Sequence, residues 1–283
     1  MNNFSSSPKI QRLSNNELAS AYRETGKLYP LVPSMSIWRA WELASYRRYT
    51  LLEPILDVGC GDGLYFKLVW PSVRQVTGVD INPDSIREAK KSGTYQAVHE
   101  CSALEMPFQS NSFSSAFANC SLEHMDDLPG VLRNIARILK PGGGLLCSVV
   151  TDKFIEWSTM PHLARAMGDE KNAKRIEAQY LSYHHLVSAF PPEGWISQFH
   201  KAGFEVIDHI PIAPELLGRL FLFIDTLWHL PHGKGEVGDM LVPYFQKWVN
   251  FPEAIGELMQ TLLKAEPDWK VACGAVFYAE KRG

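Results

Sequence analysis

A chain of 283 residues with 46% hydrophobic residues, 21% charged residues and a formal net charge of −3 has the makeup of a globular protein with ample core. No basic excess favours nucleic acid as a partner, and the polar opening MNNFSSSPKI lacks the apolar stretch of a signal peptide, so a cytoplasmic protein is expected. Cys60, Cys101, Cys120, Cys147 and Cys273 are too dispersed for a disulfide framework or a CxxC metal or redox site, and buried free thiols are expected.

Residues 1–50 read as a helical cap rich in aromatics: Tyr22, Tyr29, Trp38, Trp41, Tyr46 and Tyr49. From 51 to 150 apolar runs alternate with helical patterns, which predicts a parallel sheet covered by helices. Strands are expected at Ile55–Val58, Gln75–Asp80, Tyr95–Cys101, Phe113–Asn119 and Leu145–Val150. Asn82 and Pro83 supply an N-cap and a first-turn proline, so the second strand turns straight into a helix. Leu128, Val131, Leu132, Ile135, Ile138 and Leu139 recur at helical spacing, and KPGGG at 140–144 is expected to stop that helix.

Beyond the core, 151–192 reads as a helical insertion, a lid. Residues 193–283 read as the last part of the sheet, with a helix over Glu193–Ala202, a strand over Phe204–Ile210, a helical insertion at 211–265 and a final strand over Val271–Glu280. His232 to Gly235 reads as a surface turn. The stretch ELLGRLFLFIDTLWHL at 215–230 is too short and too charged to span a bilayer, so no stable membrane insertion is expected. Leu217, Leu220, Phe221, Ile224, Leu227 and Trp228 make a broad apolar stripe on it, which fits core packing, a lid over an apolar acceptor, or peripheral contact with a membrane.

The most informative stretch is ILDVGCGDG, where Gly59, Gly61 and Gly63 follow the first strand at every second position. Glycines there let a backbone approach a ligand closely. The spacing matches neither G-x-G-x-x-G nor G-x4-G-K-[ST]. Asp57 and Asp62 would set negative charge against a pyrophosphate, whereas a phosphate-free cation suits the turn. S-adenosylmethionine carries a sulfonium and an ammonium and meets that description. Asp80, closing the second strand, is placed to accept from a ribose diol, with a capping or loop carboxylate as the plainer reading.

Together these stretches carry a resemblance. Residues 55–150 resemble the class I S-adenosylmethionine-dependent methyltransferases, particularly those acting on small molecules. The matching segments, in order, are LDVGCGDG, VTGVDINPDSIREAK, ALEMPF, SLEHM and RILKPGG, with HKAGFEV at 200–206 resembling the entry to the sixth strand. The resemblance implies a doubly wound, Rossmann-like α/β fold with a seven-stranded, mostly parallel sheet, a helical N-terminal extension and helical lids. It implies Gly59, Cys60, Gly61 and Gly63 at the methionine part of the cofactor and Asp80 with Ile81 at ribose and adenine. Ser102, Ala103 and Leu104 would edge the adenine, and Asn119, Cys120 and Ser121 would pass the methionyl end. Many relatives have an aspartate where Ser102 stands, and the frequent Phe-Asp pair is Phe113-Ser114 here.

Methyl transfer is an in-line displacement that needs positioning and water exclusion, and a base only if the acceptor must lose a proton. His124, after the fourth strand at the carboxyl edge of the sheet, is the candidate base, with a capping or packing histidine as the alternative. Glu123-His124 also resembles a metal-binding pair of ubiquinone-type O-methyltransferases, but the upstream carboxylate is absent at 119–121, and no metal is expected. His184 and His185 read as a second base or, more simply, as lid surface. The expected activity is methylation of a small, fairly apolar natural-product, quinone or lipid-like acceptor. The alternative is a non-catalytic nucleoside-binding or protein-interaction module on the same fold. Neither the acceptor atom nor the oligomeric state is legible.

Overall fold

The structure, a computed structural model, describes residues 7–283; the first six residues of the polar opening lie outside them. Its centre is a sheet that receives β1 (Lys9–Ile10), β2 (Ile55–Val58), β3 (Val76–Asp80), β4 (Ala97–Glu100), β5 (Phe113–Asn119), β6 (Leu139–Val150) and β7 (Phe204–Pro214). A small hairpin of β8 (Pro231–His232) and β9 (Gly235–Glu236) stands apart at the glycine-rich turn, and β10 (Ala272–Lys281) completes the sheet in the order β1-β7-β10-β6-β5-β2-β3-β4. All pairings in the sheet are parallel except those of β10, which runs antiparallel between β6 and β7.

The chain winds outward from β2 through β3 to β4, then returns to the other side of β2 as β5. The carboxyl ends of β2 and β5 therefore open a crevice, the place where doubly wound sheets bind ligands. The strands expected at 55–58, 75–80, 95–101, 113–119 and 271–280 form within two residues of their limits, whereas β6 starts six residues before Leu145 and β7 runs four beyond Ile210. The expected seven strands gain an eighth, because Lys9 and Ile10 pair with Asp208 and His209 at the edge of the sheet before the helical cap begins.

Helices cover both faces. α1 (Asn15–Leu28) starts from a capping box between Ser14 and Glu17, and α2 (Pro33–Tyr46) from a first-turn proline. α3 (Leu64–Val69) and α4 (Pro83–Ser92) follow β2 and β3; the Asn82 side chain caps α4 by accepting from Asp84 N at 2.8 Å. α5 (Leu128–Ile138) presents the apolar stripe expected of it, with Leu128, Val131, Leu132 and Ile135 buried. The glycines after it do not form a loop: β6 begins at Leu139 and runs through them, with a register shift between Phe113 and Ser115 of β5 absorbing Gly142 at φ +71°.

The lid comprises α6 (Asp152–Glu156), α7 (Thr159–Ala166) and α8 (Glu170–Tyr183), and α9 (Pro192–Lys201) returns the chain to the sheet. α10 (Glu215–Trp228), α11 (Val237–Phe245) and α12 (Phe251–Ala265) form the second insertion, which starts at Glu215 because β7 extends through Pro214. One apolar cluster joins Trp38, Trp41 and Tyr46 of α2 to Phe66 and Phe117 below the sheet and to Phe221 and Met259 of the second insertion. The cap and the late insertion thus share one core with the sheet. The stripe on α10 faces inward: Leu217, Phe221 and Trp228 are buried and Leu220, Ile224 and Leu227 half-buried, while Leu216 and Phe223, outside it, are exposed.

Candidate functional site

The turn leaving β2 is pinned before any ligand is considered. Gly59 N and Cys60 N donate to the Val79 carbonyl at 2.9 and 3.0 Å, fixing the turn to β3. Gly61 N donates to Asp80 Oδ2 at 3.0 Å and Asn82 N to Asp80 Oδ1 at 2.8 Å, so one carboxylate ties the glycine turn to the start of α4. Gly59 has φ +74°, and a Cβ there would stand 2.6 Å from Ser121 Cβ, so the loops after β2 and β5 touch at this point. Ser121 Oγ donates to the Val58 carbonyl at 2.8 Å and closes the same contact. Gly61, at φ +54°, has no atom within 4 Å of its imaginary Cβ: the turn faces open space.

Beside the turn, at Gly59, opens a cleft of about 410 Å³, whose lining includes neither Gly61 nor Gly63. It brings together Gly59, Asp80, Ile81, Ser102, Ala103, Leu104, Cys120, Ser121 and His124, nine of the residues expected from the sequence. Ile81 and Leu104 are exposed apolar side chains at its rim, 72% and 41% accessible, suited to clasping a planar base. The Ser102 hydroxyl accepts from Leu104 N at 3.2 Å and keeps its proton free to donate.

Other expected residues lie elsewhere. Asp57 is 2% exposed beneath the turn, where Tyr95 Oη donates to its Oδ2 at 2.7 Å; burial pushes its carboxyl up to about 7, against the pull of that hydrogen bond. It braces the turn and is not among the residues lining the cleft. Tyr95 was expected in a strand, yet it precedes β4 and packs under Gly63, where a Cβ would fall 2.4 Å from its ring. The Cys60 thiol points away, toward Gly78 and the small cluster with Ile86 and Ala89. Asn119 accepts from Tyr46 Oη at 2.8 Å through its side chain.

A second cleft of about 290 Å³ meets the first at Cys120 and His124. Its floor is aromatic: the rings of Trp38, Phe154 and Phe221 lie 5.1 to 6.1 Å apart between centroids. Val150 and Leu186 add aliphatic surface, and Tyr183, His184, Asp225 and His229 come from the two insertions.

Behind this cleft stands Glu42, fully buried on α2. Its Oε1 accepts from Trp38 Nε1 at 2.9 Å, Ser148 Oγ at 2.7 Å and Cys120 Sγ at 2.9 Å, and its Oε2 accepts from Arg39 at 2.6 Å. Burial, with Glu42 alongside, holds the Cys120 thiol protonated, so it is no nucleophile. Cys120 itself has φ +44° and turns the chain out of β5 into the short helical turn Leu122–His124.

Glu123 and His124 occupy that turn. Glu123 is 1% exposed and its carboxyl rises to about 8, chiefly through burial. Its main-chain carbonyl receives Val187 N and Ser188 N, which ties the lid's exit to the end of β5. His124 Nδ1 lies 3.1 Å from the His185 carbonyl; facing an acceptor, Nδ1 must carry the proton, which leaves Nε2 with a lone pair. Burial lowers the His124 pKa and keeps the ring neutral. Sequence reasoning missed Glu42, Arg39 and Asp225 because a charge on a helix is ordinarily solvated.

Among the described residues no group of three or more His, Cys, Asp or Glu is arranged to hold a metal ion, and no helix is long and apolar enough to cross a membrane.

Comparison with known proteins agrees with this arrangement. The methyltransferase domain family matches residues 56–147, from β2 into β6. An O-methyltransferase from Aspergillus nomiae is 34% identical over 172 residues, covering 56% of this chain and 68% of the relative. A ubiquinone biosynthesis O-methyltransferase from Idiomarina loihiensis is 33% identical over 111 residues, 37% of this chain and 45% of the relative. Most matches are partial: another relative, an O-methyltransferase from Aspergillus sclerotiorum, is spanned over only 38% of its length. Among solved structures, an S-adenosylmethionine-dependent methyltransferase from Thermotoga maritima superposes with a TM-score of 0.55 at 15% identity, over 95% of this chain and all of its own. That level of identity speaks for the fold alone, but the Aspergillus nomiae relative goes further: the chain belongs to the class I S-adenosylmethionine-dependent methyltransferases.

Proposed function

We propose that this methyltransferase uses S-adenosylmethionine as donor and methylates a small, largely apolar acceptor held in the aromatic cleft. The observation that carries the reading is the junction of two clefts at Cys120 and His124, one built from the glycine turn and Asp80, the other from aromatic rings. A donor lying along the first would present its reactive end to an acceptor in the second.

The cofactor supplies, when bound, an activated methyl whose C–S bond breaks, its electron pair returning to sulfur, as a lone pair of the acceptor forms the new bond. The chain does the rest. Asp80 keeps lone pairs beyond those engaged by Gly61 N and Asn82 N and would accept from the ribose hydroxyls. Ile81 and Leu104 would flank the adenine, and Ser102 would edge it. The open face at Gly61 leaves room for the methionyl part, with the backbone of Cys120 and Ser121 beside it. Trp38, Phe154 and Phe221 would exclude water and orient the acceptor. His124, neutral with Nε2 free, would take the proton of a hydroxyl acceptor. The names of curated relatives, which include O-methyltransferases of ubiquinone biosynthesis and a sterol C-methyltransferase from Gibberella zeae, support a largely apolar acceptor.

The test is incubation of the full chain with methyl-labelled S-adenosylmethionine and a fractionated metabolite extract. Label in an apolar small molecule, lost in His124→Gln if the product is an O-methyl ether, is the expected result. Tight cofactor binding with no transfer to any fraction would oppose catalysis.

A further inference from the structure

Asp225 sits on the core-facing side of α10, 6% exposed, among Phe221, Leu222 and Trp228. A carboxylate in such company needs partners. Tyr180 Oη donates to its Oδ2 at 3.0 Å, His184 Nε2 lies 3.2 Å from the same oxygen, and His229 Nε2 lies 3.6 Å from Oδ1. His229 is in turn fixed through Nδ1, 2.9 Å from Glu236 Oε2 and 2.7 Å from Tyr183 Oη. His184 differs. Its Nε2 is buried and, despite the nearby carboxylate, is not aligned for a hydrogen bond with any described group.

The cleft that His184 lines is bordered also by Arg39, Glu123, Tyr183 and His229, so polar side chains stand beside its aromatic floor. A purely hydrocarbon acceptor would take these polar side chains out of water without pairing them. The aromatic floor asks for a flat ligand, and a volume of about 290 Å³ suits one or two fused rings.

We propose that the lid carries a second polar anchor: His184, whose buried Nε2 edge is backed by the Asp225 carboxylate as positioning residue, binds through the exposed part of its ring an oxygen function of a planar ring acceptor whose other hydroxyl is presented to Glu123 and His124 for methylation. This rests on the methyl-transfer reading above and narrows its acceptor to dioxygenated aromatic compounds. An imidazole suits the task because it can donate to a carbonyl or accept from a hydroxyl, according to tautomer.

The experiment is titration of the full chain, saturated with S-adenosylhomocysteine, with resorcinol, hydroquinone and 2,7-dihydroxynaphthalene, each against its monohydroxy parent, phenol or 2-naphthol. At least one diol should bind tenfold or more tightly than its parent. In His184→Leu and Asp225→Asn that preference should fall to threefold or less, while affinity for the parent and for S-adenosylhomocysteine stays within twofold. A merely structural role for either residue would weaken parent and diol together, which would overturn the proposal. Equal binding of every diol and its parent in the wild type, or a preference that survives both substitutions, would overturn it too. Absence of S-adenosylhomocysteine binding in the wild type would instead bring down the donor assignment and, with it, this anchor.

Discussion

Substituting alanine at Gly59 and Gly61 separates what the glycine turn does for the fold from what it does for the ligand. Both residues have positive φ, +74° and +54°, so each alanine bears a left-handed backbone cost of roughly 1–2 kcal/mol. Their surroundings differ. At Gly59 the new methyl would stand 2.6 Å from Ser121 Cβ, a contact that normal packing holds about an ångström farther apart. Relieving it means moving the loop after β5 and straining the Ser121 bond to Val58, an overpacking cost of about 1–3 kcal/mol more. At Gly61 the methyl meets nothing within 4 Å and enters the space assigned to the methionyl part of the donor. Gly59→Ala should therefore lose about 2–5 kcal/mol in urea denaturation. Gly61→Ala should lose no more than about 2 kcal/mol yet bind S-adenosylhomocysteine at least tenfold more weakly by calorimetry. Wild-type affinity in Gly61→Ala would refute the ligand assignment of the turn, and equal stability of the two variants would refute the steric argument.

Asp80→Ala should weaken S-adenosylhomocysteine binding by about 1.5–3 kcal/mol, the worth of a charged hydrogen bond, and unchanged affinity in calorimetry would remove the ribose role. Glu42→Gln leaves the Arg39 charge without its carboxylate partner and should cost about 3 kcal/mol of stability in urea denaturation, where a loss under about 1 kcal/mol would contradict it. The raised carboxyl of Glu123 gives a pH dependence with a definite sign. Below about 4.5 both folded and unfolded chains hold the proton; between there and about 8 only the folded chain does, so stability falls as pH rises. Between pH 7 and 8 the wild type should lose about 1 kcal/mol that Glu123→Gln does not lose, a window above the Asp57 value of about 7, and parallel profiles there would contradict the assignment.

Sequence logic recovered the parts of the fold in which local signals and tertiary pairing agree. The run ILDV followed by spaced glycines could only be a strand entering a turn, and Asn82-Pro83 marked the start of α4 without ambiguity. It fell short where long-range pairing overrides a local breaker: KPGGG does stop α5, at Ile138, but Gly144 pairs with Ser115 and draws the glycines into β6, which starts at Leu139 and not at the expected Leu145. Two residues of edge strand at Lys9 and Ile10 carry no periodicity to detect. The cleft beside the glycine turn was legible because its residues cluster in short segments after strands. The aromatic cleft was not, since it is assembled from α2, α6, α8 and α10, and the partners that make Glu42 and Asp225 buried polar groups lie far from them in the chain. Asp57 reads from the sequence as a ligand-facing charge because the glycine turn starts two residues after it; its partner, Tyr95, is 38 residues away.

The central claim is that the crevice between β2 and β5 takes a phosphate-free nucleoside with a cationic tail rather than a dinucleotide. Calorimetric titration of the full chain with S-adenosylmethionine, S-adenosylhomocysteine and NAD tests it directly. The account predicts saturable one-to-one binding of the first two, each competing with the other, and no heat of binding from NAD. Binding of NAD in competition with S-adenosylhomocysteine, or no binding of either sulfur nucleoside, would contradict it.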